Sequence, residues 1–219
     1  WFGEHKADTT SAAMVGVTCY SSTDLANWTY RGVALSVSNE KDNDIERGCI
    51  IERPKVVYNA KTRRYVMWFH LELKGRGYTA ARYGAVANKP EGPYQHLYSS
   101  RSCPGIWPQD WAGSLDSTTY NAGRQMKWWT PEWRELIRKG LFVQRDYAQG
   151  QMARDQTVYV DDDGKAYHIF SSEDNLTLHI AELTDDYLHH TGRYWRIAPG
   201  GQNEAPTLFK YKGVYWMIT

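Results

Sequence analysis

The sequence predicts an all-β chain assembled from repeated antiparallel units. Three observations carry this: segments of one plan recur, short apolar strands alternate with polar turns, and only one stretch reads as a helix. The segments "ERPKVVYNAKTRRYVMWFH" from Glu52, "RDQTVYVDDDGKAYHIFSS" from Arg154 and "EAPTLFKYKGVYWMIT" from Glu204 superimpose. In each, polar or proline-containing positions lead into a strand, then a polar turn, then an aromatic-rich strand. In the second copy Val158 to Val160 is the first strand, Asp161-Asp162-Asp163-Gly164 the turn and Tyr167 to Phe170 the return.

A second shared plan follows. "GVTCYSSTDLANWTYRG" from Gly16, "GAVANKPEGPYQHLYS" from Gly84 and "LHIAELTDDYLHHTGRYWRI" from Leu178 each give a small or apolar strand, a polar turn, then an aromatic near Trp28, Tyr94 or Tyr194. Antiparallel units of about four strands, recurring roughly every 50 residues, are the blades of a β-propeller. The segment "WFGEHK" matches second-strand segments such as "MWFH", and "VYWMIT" stops where a third strand is due. Residues 1–219 are therefore expected to form one partial propeller domain, a fragment truncated within a blade at both ends.

One stretch breaks the rhythm. Tyr65 and Tyr167 lie 102 residues apart, against 48 between Tyr167 and Tyr215. The excess falls at about residues 100–150, an insertion holding Trp107, Trp111, Trp128, Trp129 and Trp133. Within it "TPEWRELIRKG" predicts a short helix, with Thr130 as N-cap, Pro131 at the first helical position and Gly140 at the stop. Trp133, Leu136 and Ile137 form its apolar face. The insertion covers a blade edge and is a candidate wall for a ligand pocket.

Bulk properties narrow the partners. With 26 basic and 25 acidic residues the net charge is +1, and no basic stripe favours nucleic acid or an acidic membrane surface. No apolar run reaches membrane-span length. The 3 cysteines, Cys19, Cys49 and Cys103, fit neither a zinc pattern nor a disulfide framework. The "DDDG" run lacks the alternating ligands of a calcium loop, and the 7 histidines show no metal spacing, so no metal and no cofactor is expected. Ten Trp and 16 Tyr against 5 Phe suit a surface that meets both water and an amphipathic ligand, such as a sugar with its polar rim and apolar C–H face. "NWT" at Asn27 and "NLT" at Asn175 match the N-glycosylation acceptor pattern. His70 and His168 read as structural or pocket polar groups.

Inner strands of a propeller begin near the central channel, so residues at their mouths converge. Glu52, Asp155 and Glu204 stand there in the three copies. Carboxylates meeting from separate blades suit glycoside hydrolysis, in which one acid stays protonated to donate to the leaving oxygen. Arg53 and Arg154, beside them, are candidate partners for carboxylates or sugar hydroxyls.

At this point "RDQTVYVDDDGKAYHIFSS" and "NEAPTLFKYKGVYWMIT" resemble the motifs of glycoside hydrolase family 43. That resemblance implies a five-bladed propeller and an inverting reaction. By motif, Asp155 corresponds to the residue that tunes the acid and orients substrate, and Glu204 to the general acid. Their 49-residue separation is about one blade. "ERPKVVYN", "CYSSTDLANW" and "HIAELTDDYL" resemble the branch of exo-β-1,3-galactanases and arabinogalactan-processing arabinofuranosidases, in which Glu52 matches a glutamate contributing to the site. The implied activity is exo-removal of galactose or L-arabinofuranose from arabinogalactan-type polysaccharide, with the water-activating group outside residues 1–219. Trp107, Trp128 and Trp129 are then candidates for stacking on the sugar chain, and secretion or a periplasmic location is the family habit. A carbohydrate-binding propeller without catalysis is the alternative. The sequence does not fix the oligomeric state.

Overall fold

The structure is a computed structural model, and the residues described are 1–76, 79, 81–109, 111 and 113–219. The described residues form four antiparallel sheets, laid down in chain order. The first contains β1 (Phe2–Lys6), β2 (Met14–Ser21) and β3 (Thr29–Ser36). The second runs β4 (Ile50–Asn59), β5 (Arg64–Glu72), β6 (Ala81–Ala87) and β7 (Gln95–Ser100). After the insertion, β8 (Arg154–Val160), β9 (Ala166–Ser172), β10 (Thr177–Leu183) and β11 (His190–Ile197) repeat that meander. The hairpin β12 (Thr207–Tyr211) and β13 (Val214–Ile218) follows. The repeats legible in the sequence are therefore single meanders in which sequence neighbours pair in space.

Sheets meet face to face through their apolar residues. Met14, Val17, Leu35, Ile51, Met67 and Phe69 fill the layer between the first two sheets. Val66, Trp68, Val158, Ala166 and Leu183 fill the next layer. Trp68 is fully buried, and its indole N–H donates to the Tyr187 carbonyl at 2.8 Å, so the bulkiest side chain of the layer leaves no polar atom unmet. This face-to-face stacking sets β4 against β1 on one side and β8 on the other, with β12 beside β8.

The acidic turn works as the sequence predicts. Asp161 N donates to the Lys165 carbonyl at 2.8 Å, and Gly164, at φ 81°, takes the left-handed conformation that glycine adopts without steric cost. Asp161 accepts from Tyr215, Lys210 and Tyr159. The Tyr215 hydroxyl is the main cause that holds its carboxyl down at about 2. The turn thus ties the third sheet to the hairpin after it, and no group of three metal-ligating side chains occurs among the described residues.

The insertion holds three helices where the sequence signals predict one. The predicted helix is α2 (Pro131–Arg138): the Thr130 hydroxyl accepts from Trp133 N at 3.2 Å, and Trp133, Leu136 and Ile137 are buried. The others are α1 (Ser117–Gln125), capped by Asp116, and α3 (Leu141–Asp146). The first is a polar segment of small and hydroxyl side chains with Gly123 inside it, and the last is a short apolar run that carries no helical period, so neither signals itself. Together they bury Trp133, Ile137, Leu141, Phe142 and Leu176, the last at the mouth of β10. Among the described residues no helix is long and apolar enough to cross a membrane.

Candidate active site

The inner strands are irregular where the candidate residues lie. In β4 the pairing shifts between Glu52 and Lys55, and in β8 between Arg154 and Gln156. A bulge leaves one residue unpaired and re-aims its side chain. Arg53 is in the left-handed conformation (φ 53°) and precedes Pro54; Ala205 (φ 48°) precedes Pro206. Both are non-glycine residues in a sparsely populated region, in front of prolines, so their neighbours must hold them there.

By register Glu52 corresponds to Arg154 and Arg53 to Asp155, and alignment of the third copy adds Glu204 to the first pair and Ala205 to the second. Asp155 therefore sits one residue further along its strand than a simple superposition of the three carboxylates implies, and the bulge is what frees it from the ladder. Those three corresponding residues meet. Arg53 Nε lies 3.0 Å from Asp155 Oδ1 and Nη2 3.4 Å from Oδ2, while Ala205 N donates to Oδ2 at 3.0 Å. Asp155 is 17 % exposed against 51 % for Arg53, so the carboxylate is set into the surface and the guanidinium roofs it. Gln156 turns inward and donates to the carbonyls of Arg53 and Trp68, fixing β8 against β4. Arg53, Pro54, Lys55, Gln156, Thr157, Ala205 and Pro206 line a cavity of about 240 Å³ beside this junction.

Glu204 is exposed, and its Oε1 accepts from Asn175 Nδ2 at 2.7 Å. Glu52 faces a different partner. Its Oε2 lies 3.0 Å from Nδ1 of the buried His70, an ion pair at an angle poor for a hydrogen bond, while His70 Nε2 meets Glu72 Oε1 at 2.8 Å. Contact with His70 holds the Glu52 carboxyl below its ordinary range, aided by the fields of Lys6 and Arg154. Burial opposes charge on His70, but the two flanking glutamates outweigh it and raise the imidazole. Glu52 is thereby an anion, fit to accept hydrogen bonds and unfit to donate a proton.

The insertion tryptophans are stacked mainly on one another. Trp107 lies flat against Trp111 at 5.0 Å and Tyr147 at 4.1 Å between centroids. Trp128 stacks on buried Trp133 at 5.0 Å, while its outer face and Trp129 are exposed. No ring contact or hydrogen bond between Trp107, Trp128 or Trp129 and the three carboxylates occurs among the described residues.

Sequence reasoning missed Glu4, Glu72 and Asn175. Glu4, on β1, accepts from the strained Arg53 N at 3.2 Å. Glu72 was hidden in an apolar strand, three residues beyond the second-strand aromatics. Asn175 was visible only as a glycosylation pattern, yet its amide nitrogen is engaged by Glu204.

No protein-family model and no curated protein matches the chain. Solved structures do. The chain is 56% identical to the family 43 β-1,3-galactosidase BT3683, solved with galactodeoxynojirimycin; the match has a TM-score of 0.90 and covers 99% of this chain and 63% of that one. It is 33% identical to an exo-β-1,3-galactanase from Clostridium thermocellum, at a TM-score of 0.74 over 99% of this chain and 38% of that one. An exo-β-1,3-galactanase from Phanerochaete chrysosporium, solved with galactose, is 27% identical at a TM-score of 0.71, over 99% and 39%. The antiparallel meanders and these matches define the class, a family of glycoside hydrolases. The chain belongs to glycoside hydrolase family 43. It spans less than two thirds of the length of these relatives.

Proposed function

We propose that this chain supplies the acid side of an exo-acting, inverting β-galactosidase site acting on the β-1,3-galactan chains of arabinogalactan. The observation that carries it is the junction of Arg53, Asp155 and Ala205, which ties the backbone next to Glu204 to the carboxylate of the neighbouring sheet. Two of these relatives are named a β-1,3-galactosidase and an exo-β-1,3-galactanase, which favours galactose over arabinofuranose.

In this reading Glu204 protonates the glycosidic oxygen as the bond to the anomeric carbon breaks. Asp155, paired with Arg53, orients the sugar and sets a carboxyl group near the acid. Glu52 accepts hydrogen bonds from glycone hydroxyls. Arg53 and Arg154 frame the site, and Trp128 and Trp129 offer exposed faces to the polysaccharide. Water attacks from the opposite face, which needs the two acting groups about 6.5–9.5 Å apart. A closed ring of five blades is the arrangement that lets inner-strand mouths converge in this way, and four successive sheets with adjacent inner strands support it. A secreted or periplasmic location fits a polymeric substrate.

The test is galactose release from β-1,3-galactan by the full-length protein, wild type beside Glu204→Gln. Loss of release with retained binding supports the reading. Binding without release by either protein makes this a carbohydrate-binding propeller instead.

A further inference from the structure

Among the described residues, the turn between β9 and β10 is built unlike any other. Glu173, Asp174 and Asn175 are three successive non-glycine residues in the left-handed conformation, at φ 54°, 56° and 63°. Each is held by a different charged or polar group. Glu173 is fully buried and takes Arg196 on both oxygens, at 2.7 and 2.8 Å, and His179 at 3.0 Å. Asp174 takes Arg145 of α3 in a fork of 2.6 and 3.1 Å. Asn175 donates to Glu204 at 2.7 Å, and its buried Oδ1 has no partner among the described residues.

The other ends of these contacts lie in the insertion. Arg196 also donates to the carbonyls of Ile137 and Arg138, at the C-terminal end of α2, where a cation meets the negative end of the helix. Arg145 is forked a second time, onto Asp146. So α2 and α3 grip the turn through two arginines, and the turn's last residue touches the candidate acid. Three successive left-handed non-glycine residues persist only where surroundings over-determine them. Here they do.

We propose that Asn175 is a positioning residue for Glu204 and that the insertion braces it. Resting on the reading of Glu204 as general acid, the inference adds what aims it. The amide N–H fixes Oε1, which leaves Oε2 to carry the proton toward the leaving oxygen. The insertion thereby serves the chemistry from a distance.

The experiment compares two substrates in the full-length protein. Cleavage of β-1,3-galactobiose needs a proton on the departing oxygen; cleavage of 2,4-dinitrophenyl β-galactoside does not, because dinitrophenolate leaves unaided. Asn175→Gly keeps the left-handed backbone and removes only the amide. It is expected to lose roughly ten- to a hundredfold in kcat on galactobiose, the scale of mispositioned acid catalysis, with KM little changed and the dinitrophenyl substrate turned over nearly as by wild type. Arg145→Gln is expected to show the same selective loss in smaller degree. Equal loss on both substrates, or none on galactobiose, overturns the role of Asn175. A lowered Tm for Arg145→Gln with an unchanged ratio of the two rates overturns the brace. Glu204→Gln is the separate control: if it still cleaves galactobiose at the wild-type rate, it is the acid assignment that fails.

Discussion

Arg53 and Asp155 lie 102 residues apart in sequence, yet the guanidinium of one forks onto the carboxylate of the other across two sheets. The same carboxylate accepts the N–H of Ala205, so a single side chain joins the mouths of three strands. Charge-assisted bonds of this kind are roughly twice as strong as neutral ones and fix geometry through the planar fork.

Arg53→Gln keeps a donor but removes charge and fork. The expected outcome is a loss of roughly ten- to a hundredfold in kcat/KM on galactan, since hydrogen bonds to charged groups are worth about 1.5–3 kcal/mol. Steady-state kinetics beside a Tm measurement checks it: the Tm should change little, because half of the Arg53 side chain is in solvent.

The Glu52–His70–Glu72 array makes stability pH-dependent in two directions. His70 is raised above its ordinary 6.5, so its contribution is fully present below about pH 6.5 and is lost as pH rises through the folded value. Glu52 is lowered from its ordinary 4.5, so its contribution is present above about pH 4.5 and is lost as pH falls through the folded value. His70→Asn should therefore cost most between about pH 4.5 and 6.5, on the order of 2 kcal/mol given that Glu52 is part-exposed, and the gap from wild type should narrow as pH rises through the raised His70 value. Thermal denaturation at a series of pH values reads this directly.

Trp133 is 1 % exposed and anchors α2 against Trp128 and Phe142. Trp133→Ala should destabilise by roughly 3–5 kcal/mol, the range for large aromatic deletions in a core. Chemical denaturation gives the value.

Ala205, at φ 48°, tests the strained mouth of β12. Ala205→Gly should be neutral or slightly stabilising, whereas Ala205→Val should cost roughly 1–2 kcal/mol, because β-branching is poorly tolerated there. The valine variant should also lose galactose release, since its N–H would no longer reach Asp155. A pair of melting curves and one rate assay decide it.

Much of this was legible beforehand. The repeat around Tyr65, Tyr167 and Tyr215 gives the hairpins β4–β5, β8–β9 and β12–β13 because local alternation and turn chemistry decide strands. The α2 helix shows through Thr130, Pro131 and its apolar face. Asp155 and Glu204 are candidates by their place at the mouths of these hairpins. What stays hidden are contacts that join distant residues: nothing in "SSEDNLT" says that Asn175 reaches Glu204, or that Glu72 backs Glu52 through His70. Helices α1 and α3 are hidden too, because tertiary packing and not periodicity forms them.

The bulges at the mouths of β4 and β8 have one more implication. A pleated strand alternates its side chains, so two adjacent residues ordinarily face opposite ways. An unpaired residue suspends that rule locally: Glu52 meets His70 and Arg53 meets Asp155, while Val56 and Val57, further along, still supply the two apolar layers on either side. The mouth of each strand is in this sense released from the pleat that the part between the apolar layers must keep. Substitutions can therefore accumulate at the mouths without shifting the register of the layers behind them.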